Sequence, residues 1–182
     1  MGKRSAFARR PQDKYSTPPE AVLPLLKHVK HGDMFVEPCA GNGALVRALE
    51  NHGLSCQWAF DIEPENHEIE RRDALSDWGD FIEPSVEWII TNPPWTRELL
   101  HQMIVEFSRV KPTWLLFDAD WMHTRQAEPY LKLCTKIVSV GRLKWIPGSK
   151  HSGKDNAAWF LFDRRRRMPE PPAFYGREDI NG

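Results

Sequence analysis

Two glycines set between an apolar strand and an apolar helical stripe constrain this chain more than any other feature. Residues 34–36 are apolar and suit a short buried strand. Glu37-Pro38-Cys39-Ala40-Gly41-Asn42-Gly43 follows directly, and Ala44, Leu45, Ala48 and Leu49 then recur at helical spacing. Glycine between a strand and a helix lets the backbone turn sharply and approach a ligand closely. Gly53 suits the end of that helix. A second strand over residues 57–60 runs into Asp61, an acid placed to accept hydrogen bonds from ribose hydroxyls. A dinucleotide site of the dehydrogenase type needs a third glycine where Val46 stands, so that class is a poor fit.

The rest of the chain keeps the strand–helix rhythm. A helix is expected after Thr17, with Thr17 as N-cap, Pro18 as its first residue and Glu20 closing a capping box. Val22, Leu25, Leu26 and Val29 share its face, and Pro24 should kink or shorten it. Further strands are expected at residues 68–71, 88–91 and 114–118. Leu99, Leu100, Met103, Ile104 and Phe107 mark another helix. Residues 137–140 and 158–162 read as a closing strand pair. The alternation predicts a mostly parallel α/β sheet covered on both faces, with an antiparallel edge. Residues 13–163 are expected to form one domain. Residues 1–12 and 164–182, basic and Pro/Arg-rich, are expected to be flexible tails.

Asn92-Pro93-Pro94-Trp95 follows the strand at 88–91. Two prolines restrict the backbone, so the Asn92 side chain and the Pro93 carbonyl point in set directions, both as acceptors. Trp95 offers a flat face for a planar ring. Asp118-Ala119-Asp120 could cap the next helix, line a pocket or face solvent. Trp121, Trp145 and Trp159 read as core or pocket wall, and Cys39 as a small packed residue.

Formal net charge is zero over 182 residues, so no global attraction to phosphate exists. Lys3, Arg4, Arg9 and Arg10, and the run at 164–167, are local exceptions suited to phosphate contact or to solvation. No apolar run is long enough to cross a bilayer, and the first twenty residues have no signal-peptide core. Three widely spaced cysteines and no paired histidines give no metal-site pattern. A cytoplasmic location is expected.

Taken in this order, the motifs resemble those of the amino-group DNA methyltransferases, the adenine-N6 and cytosine-N4 enzymes, over residues 13–163. Asp13-Lys14-Tyr15-Ser16-Thr17-Pro18 is similar to the family's N-terminal cofactor motif. Glu37 through Gly43 resembles the glycine-loop motif, and Asp61-Ile62 the ribose and adenine contacts. Arg72-Asp73-Ala74-Leu75 resembles the segment whose Asp meets the cofactor's adenine. Asn92 through Trp95 resembles the catalytic motif.

The resemblance implies a Rossmann-like methyltransferase fold with seven strands, mostly parallel, the last reversed. It implies S-adenosylmethionine as cofactor, held by Tyr15, Thr17, Pro18, Glu37, Pro38, Cys39, Ala40, Gly41, Gly43, Asp61, Ile62, Asp73, Ala74 and Asn92. Asn92, Pro93, Pro94 and Trp95 would act on the target base, with no metal. The implied partner is DNA, methylated at adenine N6 after base flipping. RNA, a glutamine amide or cytosine N4 are the alternatives. Two departures stand out. The span from Asp61 to Asp73 is too short for a full helix, and no separate target-recognition domain is expected, which predicts a short or relaxed target. Oligomeric state is not legible.

Overall fold

The computed structural model describes residues 15–146, 153–165 and 171–177 of the protein. The elements run β1 Met34–Glu37, α1 Ala44–Glu50, β2 Ser55–Asp61, β3 Glu70–Arg71, β4 Val86–Thr91, α2 Arg97–Val110, β5 Thr113–Asp118, α3 Glu128–Leu131, β6 Cys134–Gly141, β7 Ala157–Phe162 and β8 Ala173–Tyr175. They build one sheet in the order β3-β2-β1-β4-β5-β7-β6-β8. β3, β2, β1, β4 and β5 pair in parallel, and β7 is antiparallel to both β5 and β6. The reversed strand is therefore inside the sheet, between β5 and β6.

The sheet has eight strands where seven were expected. The extra one is β8, which pairs in parallel with β6 through Lys136↔Ala173, Ile137↔Phe174 and Val138↔Tyr175. It falls within residues 164–182, read from composition as a flexible tail. The tail reading weighed prolines and charge and passed over the Ala173-Phe174-Tyr175 triplet. That triplet has strand-forming aromatics, and Tyr175 packs edge-on against His28 at 4.4 Å. Residues 1–12 and the basic positions Lys3, Arg4, Arg9, Arg10, Arg166 and Arg167 lie outside the described residues.

Burial explains why the strands read as apolar runs. β7 is buried at every position, and β5 at all but its last, as expected of strands covered on both faces. One core cluster packs Leu100, Met103, Ile104 and Phe107 of α2 against Phe117 and Phe160, whose rings stack at 4.3 Å. The other packs Leu45, Ala48 and Leu49 of α1 with Ala21, Val22 and Leu25 against Trp114 and Trp159. Trp159 donates its indole N–H to the Ala21 carbonyl at 2.8 Å, which ties the N-terminal segment to β7.

That segment is not the predicted helix. It forms two single 3₁₀ turns, Pro19–Val22 and Leu25–Lys27, and Pro18 is extended at the N-cap with no side-chain cap. Pro24 removes the N–H an α-helix would need there. The Thr17 hydroxyl, expected as the cap, instead accepts a hydrogen bond from Asn92.

Gly53 turns the chain out of α1 with φ +85° and donates to Glu50 O at 2.9 Å. A Cβ there would collide with the His31 ring, which is exposed and able to swing aside. The left-handed backbone remains unfavourable for any other residue. Gly53→Ala is expected to destabilise the fold by about 1–2 kcal/mol, measured as a shift in the urea midpoint.

Candidate active site

The strand order reverses at β1. From there the chain steps outward through β2 and β3, then returns to β4 on the other side and continues to β5. Ligands bind outside the carboxyl ends of parallel strands at such a switch point. A cleft opens there, bounded by the end of β1, the glycine loop, the end of β2 and the segment after β4. The space there, open to solvent, is about 910 Å³.

The glycine loop gains its shape from local bonds. Gly41 and Gly43 have φ +53° and +77°, a region that glycine enters without Cβ strain. A Cβ on Gly41 would meet nothing within 4 Å, so this stretch of backbone lies open to the cleft. Asp61 holds the loop from β2. One carboxylate oxygen accepts from Gly41 N at 2.9 Å and the other from Glu63 N at 2.8 Å. Asn42 braces the far side, accepting from Ala44 N at 3.0 Å and donating to Ser16 Oγ at 2.7 Å.

Asn92 stands at the end of β4, and its amide has a defined orientation. Its Nδ2 donates to Thr17 Oγ1 at 3.2 Å and to the Tyr15 carbonyl at 3.4 Å. Its Oδ1 accepts the indole N–H of Trp95 at 3.3 Å. The donors therefore face the N-terminal segment, and the oxygen keeps a free lone pair. Trp95 meets Trp145 edge-on at 5.5 Å, and Trp145 in turn lies 6.5 Å from Tyr15.

The electrostatics are one-sided. Glu37, Asp61, Glu65 and Asp73 line the cleft, and among the described residues no Lys, Arg or His does. Glu37 is 1% exposed, and its Oε2 has no hydrogen-bond partner. Burial, then the neighbouring Asp61 carboxylate, pushes the Glu37 carboxyl well above the usual range; a bond from the Val46 backbone and the Arg47 charge oppose this. Burial likewise pushes the Cys39 thiol up, which makes it an inert wall residue rather than a nucleophile. A cleft lined by four acids suits a cationic ligand and is hostile to a pyrophosphate.

Most of the expected site residues meet here. Tyr15, Thr17, Glu37, Pro38, Cys39, Ala40, Gly41, Asp61, Ile62, Asp73, Ala74, Asn92, Pro93 and Pro94 all line the cleft. Pro18, Gly43 and Trp95 do not. Gly43 is the N-cap of α1, and Trp95 reaches the site through Asn92. Ser16, Asn42 and Leu75, quoted within the motifs but not as contacts, also line it, as do Ala44, Leu45, Glu65, Leu99 and Met103. Leu99 and Met103 were read as core stripe on α2. Their i, i+4 spacing carries no sign of which helix end overhangs a cleft. Ile62 is 53% exposed at the cleft, an apolar surface that a purine ring would cover.

Of the remaining candidates, Asp118 caps the 3₁₀ turn after β5 by accepting from Asp120 N at 3.0 Å. Trp121 and Trp159 are core, and Trp145 is half-buried against Trp95 and Tyr15 without lining the cleft. Among the described residues, no group of three His, Cys, Asp or Glu could hold a metal, and no helix is long and apolar enough to cross a membrane.

Comparison of the fold with solved structures is decisive. A protein assigned as a class I S-adenosylmethionine-dependent methyltransferase from Listeria monocytogenes superposes with a TM-score of 0.66 at 11% identity, over 95% of this chain and 68% of that one. This is the Rossmann-like methyltransferase fold. A protein assigned as the modification subunit of a type I restriction enzyme from Vibrio vulnificus gives 0.57 at 13% identity, over 93% and 48%. A type I restriction-modification methyltransferase subunit from Streptococcus thermophilus gives 0.57 at 10% identity, over 86% and 47%. The chain spans about half the length of those two subunits. No protein-family model and no curated protein matches the sequence. S-adenosylmethionine, which carries an ammonium and a sulfonium, is the cofactor expected of this methyltransferase fold, and the acidic cleft fits it.

Proposed function

We propose that this chain is an S-adenosylmethionine-dependent methyltransferase acting on the exocyclic amino group of adenine in DNA. The observation that carries the reading is the acid-lined cleft, with no basic residue among the described residues that line it, that opens onto the fixed amide of Asn92. The sulfonium cofactor supplies an already activated methyl group, so the protein's task is to position and desolvate the acceptor.

An exocyclic amino nitrogen is a poor nucleophile because its lone pair is delocalised into the ring. The Asn92 oxygen and the Pro93 carbonyl can accept its two N–H bonds and draw the nitrogen toward a tetrahedral form. The bonds from Asn92 to Thr17 and Tyr15 keep the oxygen, rather than the NH₂ group, turned toward the acceptor. Trp95 offers its ring face to the base, at about 1–3 kcal/mol for such stacking. That offsets the few kcal/mol needed to extrude a base from a duplex. Glu37, Asp61 and Asp73 would hold the cofactor's ammonium, ribose and adenine. Two of the structural neighbours are modification subunits of restriction systems, and the reading places this chain's substrate with theirs.

The test is direct. The protein is incubated with labelled S-adenosylmethionine and either DNA or RNA, the polymer is digested, and the methylated nucleoside is identified. N6-methyladenine from DNA is the expected product. N4-methylcytosine alone, or label confined to RNA or protein, overturns the substrate. Asp61→Ala is expected to weaken cofactor binding by about 1.5–3 kcal/mol, read by calorimetry. Both the loop bond to Gly41 and the ribose acceptor are lost with that carboxylate.

A further inference from the structure

Beyond the cleft, one surface carries charge that the fold does not use. After β6, buried Leu143 lies between exposed Arg142 and Lys144, followed by half-buried Trp145 and exposed Ile146. Both cations therefore face solvent, two residues apart. Arg177, just after β8, folds back over Gly141: a Cβ on Gly141 would stand 3.0–3.3 Å from three atoms of the Arg177 side chain. Gly141 has φ +86°, so glycine is favoured there twice over, by backbone and by this contact. Arg142, Lys144 and Arg177 thus all lie near the carboxyl end of β6.

None of the three makes a hydrogen bond or ion pair among the described residues. Exposed cations with no ion-pair partner can take up an anion. The position tells which anion. Trp145 adjoins Lys144 and touches Trp95, whose indole is bonded to the Asn92 oxygen. Arg142 and Lys144 thus lead along the chain to aromatic rings beside the Asn92 amide. Cations that follow a backbone, next to rings that take bases, are the usual make-up of a nucleic-acid track.

We infer that Arg142, Lys144 and Arg177 form the phosphate-binding rim that grips the backbone of the DNA strand carrying the target base, with Trp145 and Ile146 supporting the bases beside it. This rests on the proposed function and adds what that reading lacks: an orientation. The strand crosses the β6–β8 edge of the sheet and not the acidic β2–β3 edge. The cofactor lies on the acidic side of Asn92 and the polymer on the basic side.

The experiment measures binding of the full chain to a labelled 20-nucleotide DNA, single-stranded and duplex, by fluorescence anisotropy across a salt series. R142Q/K144Q and R177Q are compared with the wild type, and an RNA of the same sequence is the third arm. R142Q/K144Q is expected to weaken DNA binding about tenfold and to lower the salt slope by about two, R177Q by about one. Cofactor binding by calorimetry should be unchanged in both variants, which separates a lost contact from a damaged fold. DNA affinity and slope equal to wild type in a chain that still methylates DNA would overturn the rim and leave the proposed function standing. Wild-type protein that binds cofactor but no DNA overturns both. RNA bound more tightly than DNA, with the same loss in the variants, overturns the choice of DNA strand.

Discussion

Asn92→Ala is expected to lower methyl transfer by roughly 10²–10³-fold, as removal of a preorganised polar group facing the reacting atom usually does. The structure adds a second consequence. Asn92 also bonds Thr17 and Tyr15, which line the cleft proposed to hold the cofactor, so the substitution frees that wall. Cofactor affinity should therefore fall too, by the roughly 0.5–1.5 kcal/mol of an ordinary hydrogen bond. Thr17→Val separates the two effects. It keeps the Asn92 oxygen and removes one of its locks, so affinity should fall by a similar amount while turnover at saturating cofactor falls only a few-fold. Single-turnover rates with saturating cofactor, set beside calorimetric affinities, measure both. Normal turnover in Asn92→Ala would remove this residue from the mechanism.

The next largest effect is expected at Glu37. Its carboxyl is buried beside Asp61, with one oxygen unpartnered, and is held above the usual carboxylate range chiefly by burial. It therefore stays protonated in the folded chain at pH values where the unfolded chain has released the proton. Its contribution to stability is fully present below the unfolded value, near 4.5, and declines as pH rises toward the folded one. A bound ammonium reverses the balance by favouring the ionised form. Cofactor binding at a pH between the unfolded and folded values should then release a proton from this site, visible as a buffer-dependent heat in calorimetry. Glu37→Gln should abolish that dependence and weaken the cofactor by about 1.5–3 kcal/mol, roughly ten- to a hundredfold. It should also flatten the loss of stability with rising pH in the cofactor-free protein. Asp61, Arg47, Cys39 and Cys56 surround the same carboxyl and are retained in the variant, so the change reports on Glu37 itself. An unchanged affinity with an unchanged buffer dependence would exclude this role.

Most of the site was legible because its chemistry sits at strand ends. Glu37, Asp61 and Asn92 each follow an apolar run, and side chains at those positions project into the cleft wherever the strands are parallel neighbours. The N-terminal segment was legible in place but not in form. Thr17 was read as a helix cap from its neighbours in sequence, but its hydroxyl is taken by Asn92, 75 residues away. Residues 173–175 were read from their polar surroundings, and a free edge on β6 decided otherwise.

By itself, the order of residues determined the alternation of strands and helices, the glycine loop and the acceptor motif, because periodicity and backbone restriction act over a few neighbouring residues. Only the tertiary structure decided which acids share a cavity, that Glu37 is buried with an unpartnered oxygen, and that Trp145 meets Trp95. It also decided that Arg142, Lys144 and Arg177 gather on one edge. Each of these depends on strand order and register, which bring together groups tens of residues apart. Their consequences for charge and desolvation arise only once water has been excluded between them.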